Sequence, residues 1–337
     1  MDPRIHARLT DDIIAQAAAA YGLQPADLRL LDGFESFIYE AGQGDEAFIL
    51  RLGHDSRRPP DLVRGELDFI NAAAAGGAGV ALGASVARGL PALSGDFVTP
   101  IPDGHGGNFV AAAFARAPGR PPWQAGWTPG RLEGYGRLIG RLHAVSRDYV
   151  PGDPAWRRPH WDGPLMDQTL SILPPDDAVI RERYVDLLAT IRALPRTPDT
   201  YGLIHYDPHE GNFFMTDDGR ITLFDFDDCC YHWYAADIAM VVFYKVAVAD
   251  DPAAQTAEFL PHFLRGYRAE FDLDPAWAER LPLFLTLREI DLYAAIRHDL
   301  GETPENAWAA RWMDGRRERL QAGVPYLAVD FTPLANV

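Results

Sequence analysis

Between Leu28 and Leu52 apolar and polar residues alternate, with interruptions at Gly33 and at Gly42-Gln43-Gly44-Asp45. A period of two broken by turn residues predicts three short antiparallel strands. The period then changes. Leu62, Phe69, Ile70 and Ala73 share one face at helical spacing, so a helix is expected from Asp61 to about Ala75, stopped by Gly76-Gly77. Residues 80–114 read as further strands and end in the apolar run Phe109 to Phe114, after which Ala117-Pro118-Gly119-Arg120-Pro121-Pro122 breaks regular structure and reads as a linker. Beyond it Leu132, Tyr135, Ile139 and Leu142 recur at helical spacing behind a Thr128-Pro129 start. Helical periodicity returns at about 177–194, 236–249, 254–271, 277–299 and 304–321, with one strand-rich interruption from Tyr201 to Phe226. The pattern therefore describes an α+β chain: a small β-rich N-terminal lobe with one helix over residues 1–116, and a mostly helical C-terminal lobe over 117–337, an arrangement that implies a cleft.

Composition narrows the function classes. With 48 acidic against 31 basic residues the net charge is −17, which argues against general binding of nucleic acid or an anionic membrane, and leaves a cationic substrate as one option. All the basic side chains but Lys245 are arginine. The two cysteines, Cys229 and Cys230, are neighbours and form neither a staple nor a metal array, so a reducing, cytoplasmic setting is expected. The first twenty residues lack a cationic start followed by an apolar run, and the apolar stretch Ile238 to Ala249 is too short to span a bilayer.

The segment His205-Tyr206-Asp207-Pro208-His209-Glu210-Gly211-Asn212 contains H-x-D-x-x-x-x-N, and Asp225-Phe226-Asp227 follows at a short distance. Protein-kinase catalytic loops use that spacing: the Asp takes or orients the hydroxyl proton, the Asn holds magnesium, and the later Asp bridges metal to phosphates. The segment also resembles the H-G-D-x-H-x-x-N motif of the aminoglycoside and choline phosphotransferase family. Gly140-Arg141-Leu142-His143 and Tyr234-Ala235-Ala236-Asp237-Ile238-Ala239 are similar to two further segments of that family. The resemblance covers roughly residues 25 to 300 and implies a bilobal protein-kinase-like fold that uses ATP and Mg2+. It makes Asp207 the catalytic group and Asn212 and Asp225 the metal ligands, with Asp237 anchoring the loop. His205 and His209 are catalytic candidates that could equally brace the loop, and Asp227, beside the metal aspartate, is a third metal candidate.

Glu66 lies in the middle of the apolar stripe of its helix, where a carboxylate needs a partner. Arg51, flanked by apolar residues in Phe48-Ile49-Leu50-Arg51-Leu52, is the expected one. Kinases pair a strand cation with a helix glutamate to hold the α- and β-phosphates. In the family that cation is lysine, and arginine here departs from the pattern. By the same resemblance the turn containing Gly33, Phe34 and Ser36 lies over the phosphates; order along the chain makes Phe114 to Ala117 the expected adenine hinge. Asp291, on an apolar stripe close to Arg288, is a candidate acceptor carboxylate or the partner of Arg288 at i, i+3 spacing. Trp161, Trp233, Tyr234 and Trp308 could cage an amine or serve as core. The expectation is a kinase that phosphorylates a hydroxyl of a small molecule. Its alternatives are a protein Ser/Thr kinase of the same fold and a nucleotide-binding regulator with little turnover.

Overall fold

A computed structural model of the chain describes residues 2–31, 33, 35–42, 44–76 and 85–332. Phe34, Gly77 and residues 80–84, to which the sequence assigned turn, stop and strand roles, lie outside them. The chain divides into two compact units: Met1–Gly119 with Tyr149–Arg158 and Thr222–Asp227, and Arg120–Asp148 with Pro159–Ile221 and Asp228–Val337.

The first unit opens with two helices the sequence reading left unassigned, α1 (Pro3–His6) and α2 (Asp11–Ala20). The signal for α2 was present: Thr10 caps it by accepting the Ile13 amide, and Asp11 and Asp12 sit in its first turn, where the helix dipole favours negative charge. The strands β1 (Leu28–Leu30), β2 (Phe37–Ala41), β3 (Phe48–His54), β4 (Gly89–Leu90), β5 (Thr99–Pro102) and β6 (Asn108–Ala115) form one antiparallel sheet in the order β1-β2-β3-β6-β4, with β5 also on β6. Helix α3 (Pro60–Ala75) lies between β3 and β4 in the chain.

Alternation along β3 decides what each face does. Leu50 and Leu52 join Ile13, Ala17 and Phe109 in one core cluster, while Val110 and Ala112 of β6 pack with Val63 and Leu67 of α3 on the other face. Arg51 is in register with Ala112, so its side chain emerges on the α3 side. At Gly33 an added Cβ would meet the Ser36 carbonyl oxygen at 2.4 Å, so the turn accepts no larger residue without moving.

In the second unit α4 (Pro122–Ala125) precedes α5 (Pro129–Asp148), whose start is secured by Thr128 accepting the Arg131 amide. Then come α6 (Thr169–Ile172), α7 (Ala178–Arg192) and the short strands β7 (Tyr201–Ile204), β8 (Phe213–Met215), β9 (Ile221–Leu223) and β10 (Cys230–Trp233). β9 straddles the division between units, and β7 pairs antiparallel with β10. Helices α8 (Tyr234–Val246), α9 (Pro252–Arg268), α10 (Leu281–Asp299), α11 (Ala307–Met313) and α12 (Arg316–Ala322) complete it. The single helix expected over 304–321 is two, because Gly315 between them adopts φ 61°. Every residue of α8 from Tyr234 to Phe243 is buried, which accounts for its nearly continuous apolar sequence.

Helices α5 and α9 cross in close contact at Gly136 and Gly266. A Cβ on Gly136 would lie 1.9 Å from the Phe263 carbonyl oxygen, and one on Gly266 would lie 1.9 Å from that of Glu133. Gly136→Ala is therefore expected to destabilise by about 1–3 kcal/mol through forced separation of two backbones. A denaturant titration showing wild-type stability would exclude so tight a crossing.

Candidate active site

In the first unit the expected ion pair is present and is two-pronged. Arg51 donates through Nη1 and Nη2 to the two carboxylate oxygens of Glu66 at 2.9 and 2.5 Å. Glu66 is fully buried and Arg51 nearly so, with its guanidinium 4.8 Å from the centre of the Phe114 ring. Phe114 is thus a platform for the cation, and Ala117, just beyond the end of β6, is buried. The site is fitted to arginine: a fork meets a carboxylate edge to edge, and a flat cation lies over an aromatic ring.

Asp227, a metal candidate from sequence, has a different environment. Its carboxylate pairs with Arg57, and it lies 3.8 Å from Arg51 Nη1 and 3.5 Å from Arg58 Nε. Its carbonyl accepts from Arg58 and from Arg158 at 3.3 and 2.5 Å. Arg57 also pairs with Glu35 in the turn that follows Gly33. A carboxylate engaged by guanidinium groups organises cations and is poorly placed to bind another one. The sequence held a signal for this cluster: Arg57 and Arg58 immediately precede α3, where a helix N-terminus disfavours positive charge unless anions are near. Asp225 stands at φ 62°, in the left-handed region that costs a non-glycine residue roughly 1 kcal/mol or more and that marks functional turns.

In the second unit β7 delivers the chain into the loop His205 to Asn212. Tyr206 has φ 74°, and the loop is held at this bend by Asp237 of α8. The Asp237 carboxylate accepts the amides of His205 and Tyr206 at 3.1 and 2.8 Å, and it is backed by His143 Nε2 at 3.0 Å. His143 Nδ1 in turn meets the Tyr267 hydroxyl at 2.8 Å. Asp237 thus anchors the loop, and His143 is its buried partner. The His205 ring is wholly buried and accepts the Asp207 amide at 3.3 Å, a bracing position.

Asp207 is met from two sides. Oδ2 receives Asn212 Nδ2 and His209 Nε2, each at 3.2 Å, and Oδ1 receives Arg288 Nη2 of α10 at 3.1 Å. His209 Nδ1 accepts the Gly211 amide at 2.8 Å, which leaves its proton on Nε2, facing the carboxylate. Burial alone would raise the Asp207 pKa, but His209 and Arg288 outweigh it and hold the carboxyl well below the usual range. Of the two sequence readings of Asp291, pairing with Arg288 is not the one found. Arg288 bonds to Asp207 and to the Tyr244 hydroxyl, and not to Asp291. Asp291 instead accepts from Thr169 at 2.7 Å, and burial raises its pKa to about 6. Lys245 pairs with Glu210 at 2.6 Å and lies over Trp127, so the lone lysine serves the outer part of this loop. Trp161, Trp233 and Tyr234 are core, and Trp308 is exposed.

Among the described residues no group of three His, Cys, Asp or Glu side chains could hold a metal alone. The residues present do fit a magnesium ion that arrives with phosphate oxygens and keeps several waters. Asn212 spends its amide nitrogen on the Asp207 carbonyl and carboxylate, which turns its amide oxygen away as a neutral ligand.

The profile of the phosphotransferase enzyme family matches residues 27–283. The chain belongs to that family. As a family member it is 35% identical over 330 residues to a protein named amicoumacin kinase in Bacillus subtilis (strain 168), covering 96% of each chain. Among solved structures it is similar to amicoumacin kinase hAmiN in complex with AMP-PNP, Ca2+ and Ami, with TM-score 0.90, 31% identity, and 99% and 100% of the two chains covered. A microcompartment-associated aminopropanol kinase follows at TM-score 0.73 and 24% identity, covering 93% and 98%. The phosphotransferase is therefore a kinase of kinase-like α+β fold whose relatives act on small molecules. Among the described residues no helix of it is long and apolar enough to cross a membrane.

Proposed function

We propose that the chain transfers the γ-phosphate of MgATP to a hydroxyl of a small molecule that carries an amine. The observation that carries the reading is the Asp207 carboxylate, kept anionic and fixed by Asn212, His209 and Arg288 on a loop pinned by Asp237. Such a group suits the orientation of an acceptor hydroxyl, which is most of what a loose phosphoryl-transfer transition state asks of the protein.

Arg51, set by Glu66, contacts the α- and β-phosphates, and Arg57 and Arg58, gathered by Asp227, add positive charge nearby. Gly33 and Ser36 form the turn over the phosphates, and Phe114 to Ala117 the adenine hinge. Asn212 and Asp225 supply oxygens to the metal, which when bound neutralises charge on the phosphate oxygens. Asp207 orients the hydroxyl and receives its proton late, His209 positions Asp207, and His205 braces the loop. Small-molecule phosphorylation is supported over protein phosphorylation by full-length similarity to small-molecule kinases. The close fit around Arg51 supports an active site built for arginine over a decayed nucleotide-binding regulator.

Asp291 supports an amine on the acceptor. It is faced by Thr169, Arg288, Tyr184 and Asp167, and after burial it is the next cause that raises the pKa of Tyr206, the residue before Asp207. A carboxyl that titrates at about 6 is neutral below that pH and anionic above it. An ammonium needs the anion, so the acceptor KM is expected to fall as pH rises from 5 to 7, with release of a proton on binding. Stability runs the opposite way from acceptor binding: a raised pKa stabilises the fold below the ordinary Asp value, and that contribution is lost as pH climbs through about 6. Asp291→Asn should raise the acceptor KM about 30-fold, the equivalent of about 2 kcal/mol for a lost partly buried charge pair, and leave the ATP KM unchanged. The experiment is ADP release with MgATP across a panel of amino alcohols, amino sugars and their deaminated analogues. Turnover only with uncharged acceptors would remove the amine, and no acceptor-dependent turnover at all would remove the kinase reading.

A further inference from the structure

Arg288 and Asp291 are one turn apart on α10, the spacing at which opposite charges on a helix ordinarily pair. Here they part. Arg288 reaches back 81 residues to Asp207, and Asp291 reaches Thr169, 122 residues away. A partly buried guanidinium that forgoes an adjacent carboxylate for a distant one is held there by something else. That support is Tyr244 of α8: its hydroxyl accepts from Arg288 Nε at 3.2 Å, and its ring lies 5.3 Å from the guanidinium. The same ring packs 4.7 Å from that of His209. One aromatic side chain therefore supports two of the three donors that reach the Asp207 carboxylate, Arg288 and His209.

The geometry points to a role for this arrangement. The terminal torsion of an aspartate is broad, so a carboxylate held on one oxygen alone can swing. Donors from the catalytic loop, Asn212 and His209, reach only Oδ2. We propose that Arg288 is a positioning residue for phosphoryl transfer, which pins Oδ1 of Asp207 from α10 and fixes the plane of the carboxylate that orients the acceptor hydroxyl. In the transfer the hydroxyl oxygen forms a bond to the γ-phosphorus as the bond from that phosphorus to the bridging oxygen breaks. ADP leaves, and the hydroxyl proton passes to Asp207 and on to water. Arg288 takes no part in these bonds and acts through the aim of one carboxylate. The inference rests on the kinase reading above but adds a residue that the family's motif does not contain.

Steady-state kinetics of Arg288→Met, Arg288→Lys and Arg288→Ala, together with a crystal structure of Arg288→Met, test it. Misaiming a reacting group by about 1 Å costs on the order of 100-fold. Arg288→Met is expected to lose about that much in kcat with the ATP KM unchanged. Arg288→Lys should recover part of it, and added guanidinium should restore Arg288→Ala but not Arg288→Lys. Tyr244→Phe should fall in the same direction by less. In the crystal the Asp207 carboxylate of Arg288→Met should occupy a turned or divided position. A kcat within threefold of wild type in a folded, ATP-binding Arg288→Met variant would overturn the proposal, as would an Asp207 side chain unmoved in that structure. A wild-type enzyme inert toward every acceptor would instead remove the kinase reading, and the Asp207 position in the variant crystal would still decide the role of Arg288.

Discussion

Asp207→Asn is expected to lower kcat by about 1,000-fold, in the range that loss of a positioned acid or base group produces, while ATP still binds. The reason lies in what surrounds the side chain. Among the described residues, the groups in hydrogen-bond contact with the Asp207 carboxylate are donors: Arg288 on one oxygen, Asn212 and His209 on the other. An asparagine has one acceptor oxygen and one NH2 group. Whichever way the amide is turned, its NH2 faces a donor. The side chain must then rotate away or release a neighbour, so the aim of the group is lost together with its charge. Coupled ADP-release kinetics and calorimetric ATP titration check both halves of this expectation. A variant that retained a tenth of wild-type turnover would mean that the acceptor hydroxyl is oriented elsewhere.

Glu66→Ala should be the most destabilising of the substitutions considered. It leaves the Arg51 guanidinium, at 9% side-chain exposure, without the carboxylate that both of its arms engage. Breaking a buried pair by removing one partner costs about 3–5 kcal/mol, most of it the desolvation of the charge left behind. Asp227, 3.8 Å from Arg51 Nη1, offers an alternative partner. A swing toward it would rescue part of the stability and draw Arg51 away from its place over Phe114. The expected result is a lower midpoint in urea together with weaker ATP binding. Glu66→Gln, which retains one acceptor oxygen, should fall between. Wild-type stability in Glu66→Ala would show that the pair is not buried as described.

The difference between what the sequence disclosed and what it concealed follows the distance over which charges act. Glu66 was readable because a carboxylate on the apolar stripe of a helix demands a cation, and the neighbouring strand offered one with the right alternation. The loop from His205 to Asn212 was readable because its chemistry is compressed into eight residues. Asp237 and His143 could be placed on helices, yet their mutual contact joins residues 94 apart, and spacing alone does not reveal it. The actual partner of Arg288 was hidden for the same reason. Local helical spacing proposed Asp291 as its partner, while the fold supplied Asp207 and Tyr244 from other elements. The surroundings of Asp227 were hidden too: adjacency to Asp225 suggested a shared metal, whereas Arg57 and Arg158 reach it from far along the chain. Helices were located well where apolar periodicity was strong, and the run over 304–321 was overextended because one glycine in the left-handed conformation outweighs its periodicity.

The first unit is assembled from segments made at very different times. Val86 bridges to Leu223, Arg158 donates to the Leu62 carbonyl at 2.8 Å, and Phe226 packs 6.1 Å from Phe69. During synthesis from the N-terminus, the β-sheet and α3 leave the ribosome long before residues 222–227 exist. Until those residues emerge, the nascent chain carries Glu66 and Arg51 together but lacks Asp227 to gather Arg57 and Arg58. A ribosome stalled near residue 120 should thus present a protease-sensitive intermediate, and resistance should arrive only after more than a hundred further residues have been added.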